Sequence, residues 1–202
     1  MIALKNMPTP VLSSEPTVKL WTVEEYHQLS NIGILDADGR TELIAGQILL
    51  MTSKGTSHTT ALRILASLLD DLSKSEQSIC IITQDPIQLN DLSEPEPDLV
   101  IVKGQMLDYA QHHPCPEDIH LIVEIADSTL KQDCQIKDKL YAQSGITEYW
   151  VVDLKNRQVH IFRNPTSTGY TNHLILKEPN EFSPLAFPDL ILTVTSILPP
   201  VT

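Results

Sequence analysis

Basic residues are scarce in this sequence. Lys and Arg number 14 against 26 Asp and Glu, which gives the 202-residue chain a formal charge of −12. Nonspecific affinity for nucleic acid comes mainly from Lys and Arg that neutralise phosphates. The charge therefore argues against a broad basic surface, although carboxylates that cluster around a bound cation would carry that cation's charge as well.

Cysteine is sparse, and long apolar runs are missing. Cys80, Cys115 and Cys134 are odd in number and widely spaced, which excludes a disulfide framework and a CxxC metal knuckle. The segment from Met1 to Val18 has no long apolar core, and no run elsewhere reaches membrane-spanning length. We therefore expect a cytoplasmic protein in a reducing compartment, with no membrane partner.

The composition is that of a folded domain. Hydrophobic residues make up 42% of the chain and charged residues 20%, close to the globular average. Residues 1–18 mix prolines with Ser and Thr, and we predict a flexible lead-in there. Residues 19–202 are enough for one compact domain.

The first part of this domain predicts two helices separated by a β-hairpin. Thr22 and Glu25 form a capping-box pattern that opens a short helix. Thr41–Ile44 and Gln47–Met51 are predicted strands of the hairpin. Apolar residues at 3–4 spacing then predict a long helix from Ser57 to Ser73.

Short apolar segments follow and predict a sheet. The predicted strands are Ser78–Ile82, Pro86–Leu89, Asp98–Val102, His120–Ala126, Glu148–Val152, Gln158–Arg163 and Tyr170–Leu176. A helix from Ser128 or Thr129 to Ser144 lies between two of them, which implies a parallel crossover. The pattern indicates an α/β fold with a mixed central sheet flanked by helices, and the tail from Phe187 is expected to pack along the domain.

Two carboxylates stand out in the strand pattern. Asp98 opens a strand, and Glu124 lies in the middle of another. A carboxylate inside a buried strand costs free energy unless it is paired, hydrogen-bonded or bound to a metal. If the two strands are neighbours, both carboxylates and the backbone carbonyl of Ile125 can share a hard divalent cation. Such a cation would polarise a phosphate and lower the pKa of a bound water. The alternative for Asp98 is a strand or turn residue that is hydrogen-bonded to nearby backbone amides.

The order of Pro97-Asp98, Glu124 and a following helix is similar to the PD-(D/E)XK core of the restriction-endonuclease-like nucleases. A longer string is more specific. It comprises Val123-Glu124-Ile125, Asp127-Ser128-Thr129, Asp133, Lys137, Tyr141, Gly145-Ile146 and Glu148 to Asp153, with Glu42 to Gly46 and His58 upstream. This string resembles the Uma2 family of nucleases, and the resemblance extends from about Leu20 to Phe162.

One position departs from the parent nuclease motif. The motif's lysine should stand at residue 126, on the same strand face as Glu124, but this residue is Ala126. In Uma2-like proteins the matching lysine is on the following helix, at Lys137. The alternative is that Lys137 only forms a helix-surface ion pair with Asp133.

The resemblance implies a Mg²⁺- or Mn²⁺-dependent endonuclease that hydrolyses DNA and forms a homodimer. Its implied catalytic residues are Asp98, Glu124, Lys137 and Glu42, and its implied metal ligands are Asp98, Glu124 and Ile125. For Glu42, a salt bridge with Arg40 or Arg63 is the alternative.

The charge and the missing lysine favour a second hypothesis, a catalytically inactive nuclease-fold module that acts through dimerisation or partner binding. A third is a regulatory protein without metal. An active nuclease should place basic residues such as Lys54, Arg63 or Lys131 around its cleft.

Overall fold

The structure, a computed structural model, describes residues 17–35, 39–75 and 78–200. The predicted lead-in over residues 1–18 lies outside them except for its last two residues. The single domain over residues 19–202 is retained as a proposal. Among the described residues, no helix is both long and apolar enough to cross a bilayer.

The predicted N-terminal helix and hairpin are present. Helix α1 spans Val23–Asn31, and its capping box is formed: the Glu25 amide donates to Thr22 Oγ1 at 3.2 Å, and the Thr22 amide donates to Glu25 Oε2 at 3.0 Å. Strands β1 (Thr41–Ile44) and β2 (Gln47–Leu50) pair antiparallel.

The hairpin turn is held close to the chain that precedes α1. Ala45 and Gly46 both have positive φ, 49° and 75°, as tight hairpin turns require. A Cβ on Gly46 would lie 2.6 Å from the Cβ of Leu20. A residue larger than glycine would therefore push the hairpin away from this segment.

The central sheet is mixed, as predicted. Its six strands lie in the order β3 (Ile79–Ile82), β4 (Leu99–Lys103), β5 (Ile119–Ala126), β6 (Glu148–Asp153), β7 (Gln158–Thr166) and β8 (Gly169–Lys177). Only β5 and β6 pair in parallel among these neighbours. The α/β fold class and the crossover between β5 and β6 are confirmed.

Both faces of the sheet are covered. Helix α2 (Thr56–Ser75) buries Ala61, Leu65 and Leu69 against one face, where the C-terminal segment also packs. On the other face lie side chains from the chain between β5 and β6, including the buried Tyr141. The short strands β9 (Glu181–Phe182) and β10 (Leu192–Thr193) pair with each other in the C-terminal segment.

The predicted strand over Pro86–Leu89 is wrong. This segment belongs to none of the strands that the structure describes. The Ile87 amide donates to the Pro95 carbonyl and the Leu89 amide to the Ser93 carbonyl, both at 3.0 Å. The segment thus bonds to the loop that follows it, which satisfies its backbone without a place in the sheet.

The helix predicted from Ser128 or Thr129 to Ser144 is present, but it is not a regular α-helix throughout. It consists of α3 (Leu130–Gln132), a π-helical turn (Asp133–Lys137) and α4 (Asp138–Gln143). A π turn widens the helix locally and is often found at functional sites. Here the turn buries the side chains of both Asp133 and Lys137.

The carboxylate at the start of β6 has a structural role. Glu148, fully buried at the start of β6, accepts hydrogen bonds from Trp150 Nε1 at 2.9 Å and Arg163 Nε at 2.8 Å on Oε1. Its Oε2 accepts the amide of Leu185 at 2.6 Å. Both carboxylate oxygens of Glu148 thus accept hydrogen bonds from within the protein, and Glu148 ties the C-terminal segment to the sheet.

We predict that Glu148→Ala lowers the free energy of unfolding by about 3–5 kcal/mol, because it leaves Arg163 without its buried partner. Urea unfolding followed by circular dichroism measures the change. The control Glu24→Ala, at an exposed position of α1, should cost less than about 1 kcal/mol. Equal effects of the two substitutions would contradict the role assigned to Glu148.

Candidate metal and catalytic site

A cleft of about 80 Å³ opens where the hairpin, the start of α2 and the π-helical turn meet the ends of β4 and β5. Among the described residues, its walls carry six carboxylates against two lysines, Lys54 and Lys137. The carboxylates belong to Glu42, Glu96, Asp98, Glu124, Asp127 and Asp133. This excess of negative charge favours the entry of a cation.

Strand register brings Asp98 and Glu124 together. Leu99 pairs with Val123 in the antiparallel β4–β5 ladder, so the same register continued by one residue places Asp98 opposite Glu124. Directly opposed residues have Cβ atoms about 4.5–5.5 Å apart. The amide of Ile125 donates to Asp98 Oδ2 at 2.9 Å, which confirms that the two strands are neighbours here.

Asp98 is buried but well supplied with donors. Its Oδ1 lies 2.9 Å from His58 Nε2 and accepts from Gln84 Nε2 at 3.2 Å. Burial raises the pKa of Asp98, but the hydrogen bond and charge of His58, the Ile125 amide and the charge of Lys54 outweigh it and leave the pKa below its ordinary value. Asp98 is therefore ionised at neutral pH. Its bond to the Ile125 amide also fits the alternative of a strand residue held by a nearby backbone amide.

Glu124 is held by the helical segment between β5 and β6. Lys137 Nζ donates to its Oε1 at 2.8 Å, and the Tyr141 hydroxyl donates to the same oxygen at 3.1 Å. Burial raises the pKa of Glu124 to about 8, against the charge of Lys137, and the nearby Asp133 and Asp98 raise it further. Both donors end on Oε1, so Oε2 is left to take up a proton or a cation.

Lys137 is not a surface residue. It is only 4% exposed, and its Nζ lies 2.8 Å from Glu124 Oε1 and 3.0 Å from Glu42 Oε2. Burial lowers the pKa of Lys137, but the charges of Glu124, Glu42 and Asp133 outweigh it and raise the pKa far above its ordinary value. The ammonium is permanently charged, and the alternative of an exposed ion pair with Asp133 is wrong.

Glu42 belongs to the same cluster. Besides Lys137 it accepts from Gln132 Nε2 at 3.4 Å. Neither of the two arginines proposed as alternative partners pairs with Glu42 in the described part of the chain, since Arg40 pairs with Glu96 and Arg63 is on an exposed position of α2. The alternative of an arginine salt bridge for Glu42 is therefore wrong.

Several residues at the site were not among the predicted site residues. Gln84 reaches Asp98 from a backbone with φ of 59°, a conformation that costs free energy for a non-glycine residue. Thr129 stands at the N-cap position of α3, as predicted, but its hydroxyl donates to Asp133 Oδ2 at 2.6 Å and not to the backbone. Burial raises the pKa of Asp133 to about 6.

Of the basic residues expected at the cleft, Lys54 lines it, whereas Arg63 and Lys131 do not.

The chemistry of the cleft fits a hydrated divalent cation. Asp98 and Glu124 offer hard carboxylate oxygens on adjacent strands, and Ile125 lines the same cleft. Mg²⁺ is typically bound through one or two carboxylates and keeps several waters. Across residues 17–35, 39–75 and 78–200, no three His, Cys, Asp or Glu side chains form a complete metal site. The residues thus suit a cation that retains water rather than a closed protein cage.

We predict that the metal-free protein loses thermal stability as pH rises from 6.5 to 8.5. The pKa of Glu124 is raised to about 8 in the folded state, so the folded state binds the proton more tightly than the unfolded state and loses this advantage as pH rises through 8. Thermal unfolding in a chelating buffer should show a smaller pH dependence for Glu124→Gln. The same pH dependence in both proteins would contradict the raised pKa.

Comparison with known proteins supports the nuclease resemblance. The model of the Uma2 family, described as "putative restriction endonuclease", matches residues 23–195. No curated protein matches the chain.

A solved structure shares the fold. It is a "putative nuclease belonging to DUF820" from Anabaena variabilis, with a TM-score of 0.69 and 16% sequence identity over 87% of this chain and 96% of that chain. At this identity the similarity concerns the fold alone. The family model, however, covers well over half of the sequence, and the protein therefore belongs to the Uma2 family.

Proposed function

We propose that this protein is a Mg²⁺- or Mn²⁺-dependent endonuclease that hydrolyses phosphodiester bonds in DNA. The observation that carries the proposal is the arrangement of Glu124. This buried carboxylate faces Asp98 across two strands and is bonded to the ammonium of Lys137, inside an acidic cleft. A fold gains little stability from such a cluster, because buried like charges repel.

The proposed roles follow from the contacts. Asp98 and Glu124 would hold the divalent cation, with the carbonyl of Ile125 as a further ligand. The bound cation supplies Lewis-acid polarisation of the phosphate and a more acidic water. An ammonium has three N–H donors, and Lys137 directs two of them towards Glu124 and Glu42. The third can donate to a phosphate oxygen or to the attacking water, with Glu42 fixing its direction.

The second candidate is an inactive nuclease-fold module that acts through dimerisation or partner binding. The excess of carboxylates over lysines in the cleft favours it, because a phosphate backbone would be repelled unless cations neutralise these groups.

Under either proposal we place the protein in the cytoplasm as a homodimer. Strand β8, at one edge of the sheet with Leu174 and Ile175 exposed, is available for contact between subunits.

The metal ligands can be tested by calorimetric titration with Mn²⁺. We predict that Asp98→Asn and Glu124→Gln each weaken Mn²⁺ binding by about tenfold or more, since each removes a charged ligand. Glu24→Gln, at an exposed position that does not line the cleft, is the control and should bind Mn²⁺ like the wild type. Undiminished affinity in both site variants would place the metal elsewhere.

We predict that Lys137→Met lowers the rate of plasmid cleavage by about 10²–10³-fold, the range typical for loss of a charge-stabilising donor. Mn²⁺ affinity should not fall, because Lys137 is not a ligand. Retained Mn²⁺ binding also shows that the variant is folded, which is needed because removing a buried ion-pair partner costs about 3–5 kcal/mol.

Cleavage that persists in Lys137→Met would exclude the role proposed for this lysine. Wild-type protein that binds Mn²⁺ but cleaves no form of DNA would favour the inactive module.

A further inference from the structure

The second lysine of the cleft is placed differently from the first. Lys54 lies in the irregular segment between β2 and α2, and its Nζ is 3.5 Å from Asp98 Oδ1. This nitrogen is inaccessible to solvent, and in the described part of the chain it makes no hydrogen bond. Lys137, by contrast, contacts two carboxylates at 3.0 Å or less.

Asp98 does not require Lys54 for hydrogen bonding. His58 and Gln84 already bond to Oδ1, and the amide of Ile125 bonds to Oδ2. The ammonium therefore contributes its charge but leaves its donors unused. A buried ammonium without hydrogen bonds costs free energy, so its position is not explained by stability.

A divalent cation bound to Asp98 would change the forces on Lys54. Two cations beside one carboxylate repel each other. A phosphate group that approaches the same cleft, in turn, attracts an ammonium with free donors. Lys54 is on a flexible four-carbon stem, and its backbone belongs neither to a helix nor to a strand. Its side chain can therefore reorient while the strands stay fixed.

We propose that Lys54 is a substrate-binding residue that neutralises Asp98 when no metal is bound and donates to a phosphate oxygen when metal and nucleic acid bind. This inference rests on the proposed function, because it assumes that a divalent cation and a phosphate backbone share the cleft. It assigns Lys54 two successive partners, and it predicts effects of opposite sign on metal and on DNA affinity.

The test compares Lys54→Met with Lys155→Met, which makes the same change in charge at an exposed position between β6 and β7. In calorimetric titrations without DNA, Lys54→Met should bind Mn²⁺ about tenfold more tightly than the wild type, because a competing charge near Asp98 is gone. The control should bind Mn²⁺ with wild-type affinity.

The second measurement is fluorescence anisotropy of a labelled DNA duplex, with Ca²⁺ replacing Mg²⁺. Lys54→Met should bind this duplex about tenfold more weakly than Lys155→Met, with a salt dependence reduced by about one unit of slope, as for loss of one phosphate contact. Thermal unfolding of Lys54→Met checks that the variant is folded, because the substitution removes a positive charge from beside Asp98.

The opposite signs are the signature of the proposal. Unchanged or weaker Mn²⁺ binding by Lys54→Met would overturn it, and so would unchanged affinity for the duplex. Neither measurement depends on cleavage. If Lys54→Met shows both shifts but the wild-type protein never cuts DNA, the proposed nuclease activity is refuted and the role of Lys54 is supported.

Discussion

The ion pair between Lys137 and Glu124 is the constraint around which the site is built. The carboxylate of Glu124 in β5 is only 5% exposed, and among the described residues its ion-pair partner does not come from the sheet. The helical segment after the strand supplies this partner at 2.8 Å, and the same ammonium also reaches Glu42 on the hairpin. One lysine thus joins three parts of the chain, and displacing the helical segment that carries it would leave the buried Glu124 without its cation.

The local structure of the helical segment follows from this constraint. Asp133 and Lys137 delimit a π-helical turn, and both side chains point into the buried cluster. A widened turn disrupts the regular ladder of an α-helix. Contacts from the segment back to the site offset that cost. Tyr141 donates to Glu124, and the hydroxyl of Tyr149 bonds to the Asp133 carbonyl at 3.2 Å.

Sequence patterns were sufficient where short-range rules decide the outcome. The capping box of α1, the hairpin, the long helix α2 and the strands around Asp98 and Glu124 all follow from periodicity and turn chemistry. The sequence also singled out Asp98 and Glu124, because a carboxylate in a buried strand costs free energy unless it is paired, but it left open whether their two strands are neighbours. The segment Pro86–Leu89 was not predictable, since its apolar residues satisfy their backbone within a loop.

Long-range electrostatics was the part that the sequence could not supply. The spacing of Asp133 and Lys137 is equally compatible with an exposed pair, and the family resemblance rather than the pattern placed Lys137 in the site. The contacts of Gln84 and Lys54 with Asp98 depend on how loops fold over the sheet edge, which no periodicity records.

The two sides of the cleft are held in place by different parts of the fold. Glu124 and Lys137 are anchored in the sheet and the helical segment behind it, whereas Lys54 and His58 come from one short stretch between the hairpin and the body of α2. An insertion or replacement in that stretch would reshape the mouth of the cleft while β4, β5 and their neighbours kept their register. Family members could therefore differ in the molecules that enter the cleft while they share the same buried carboxylate and lysine.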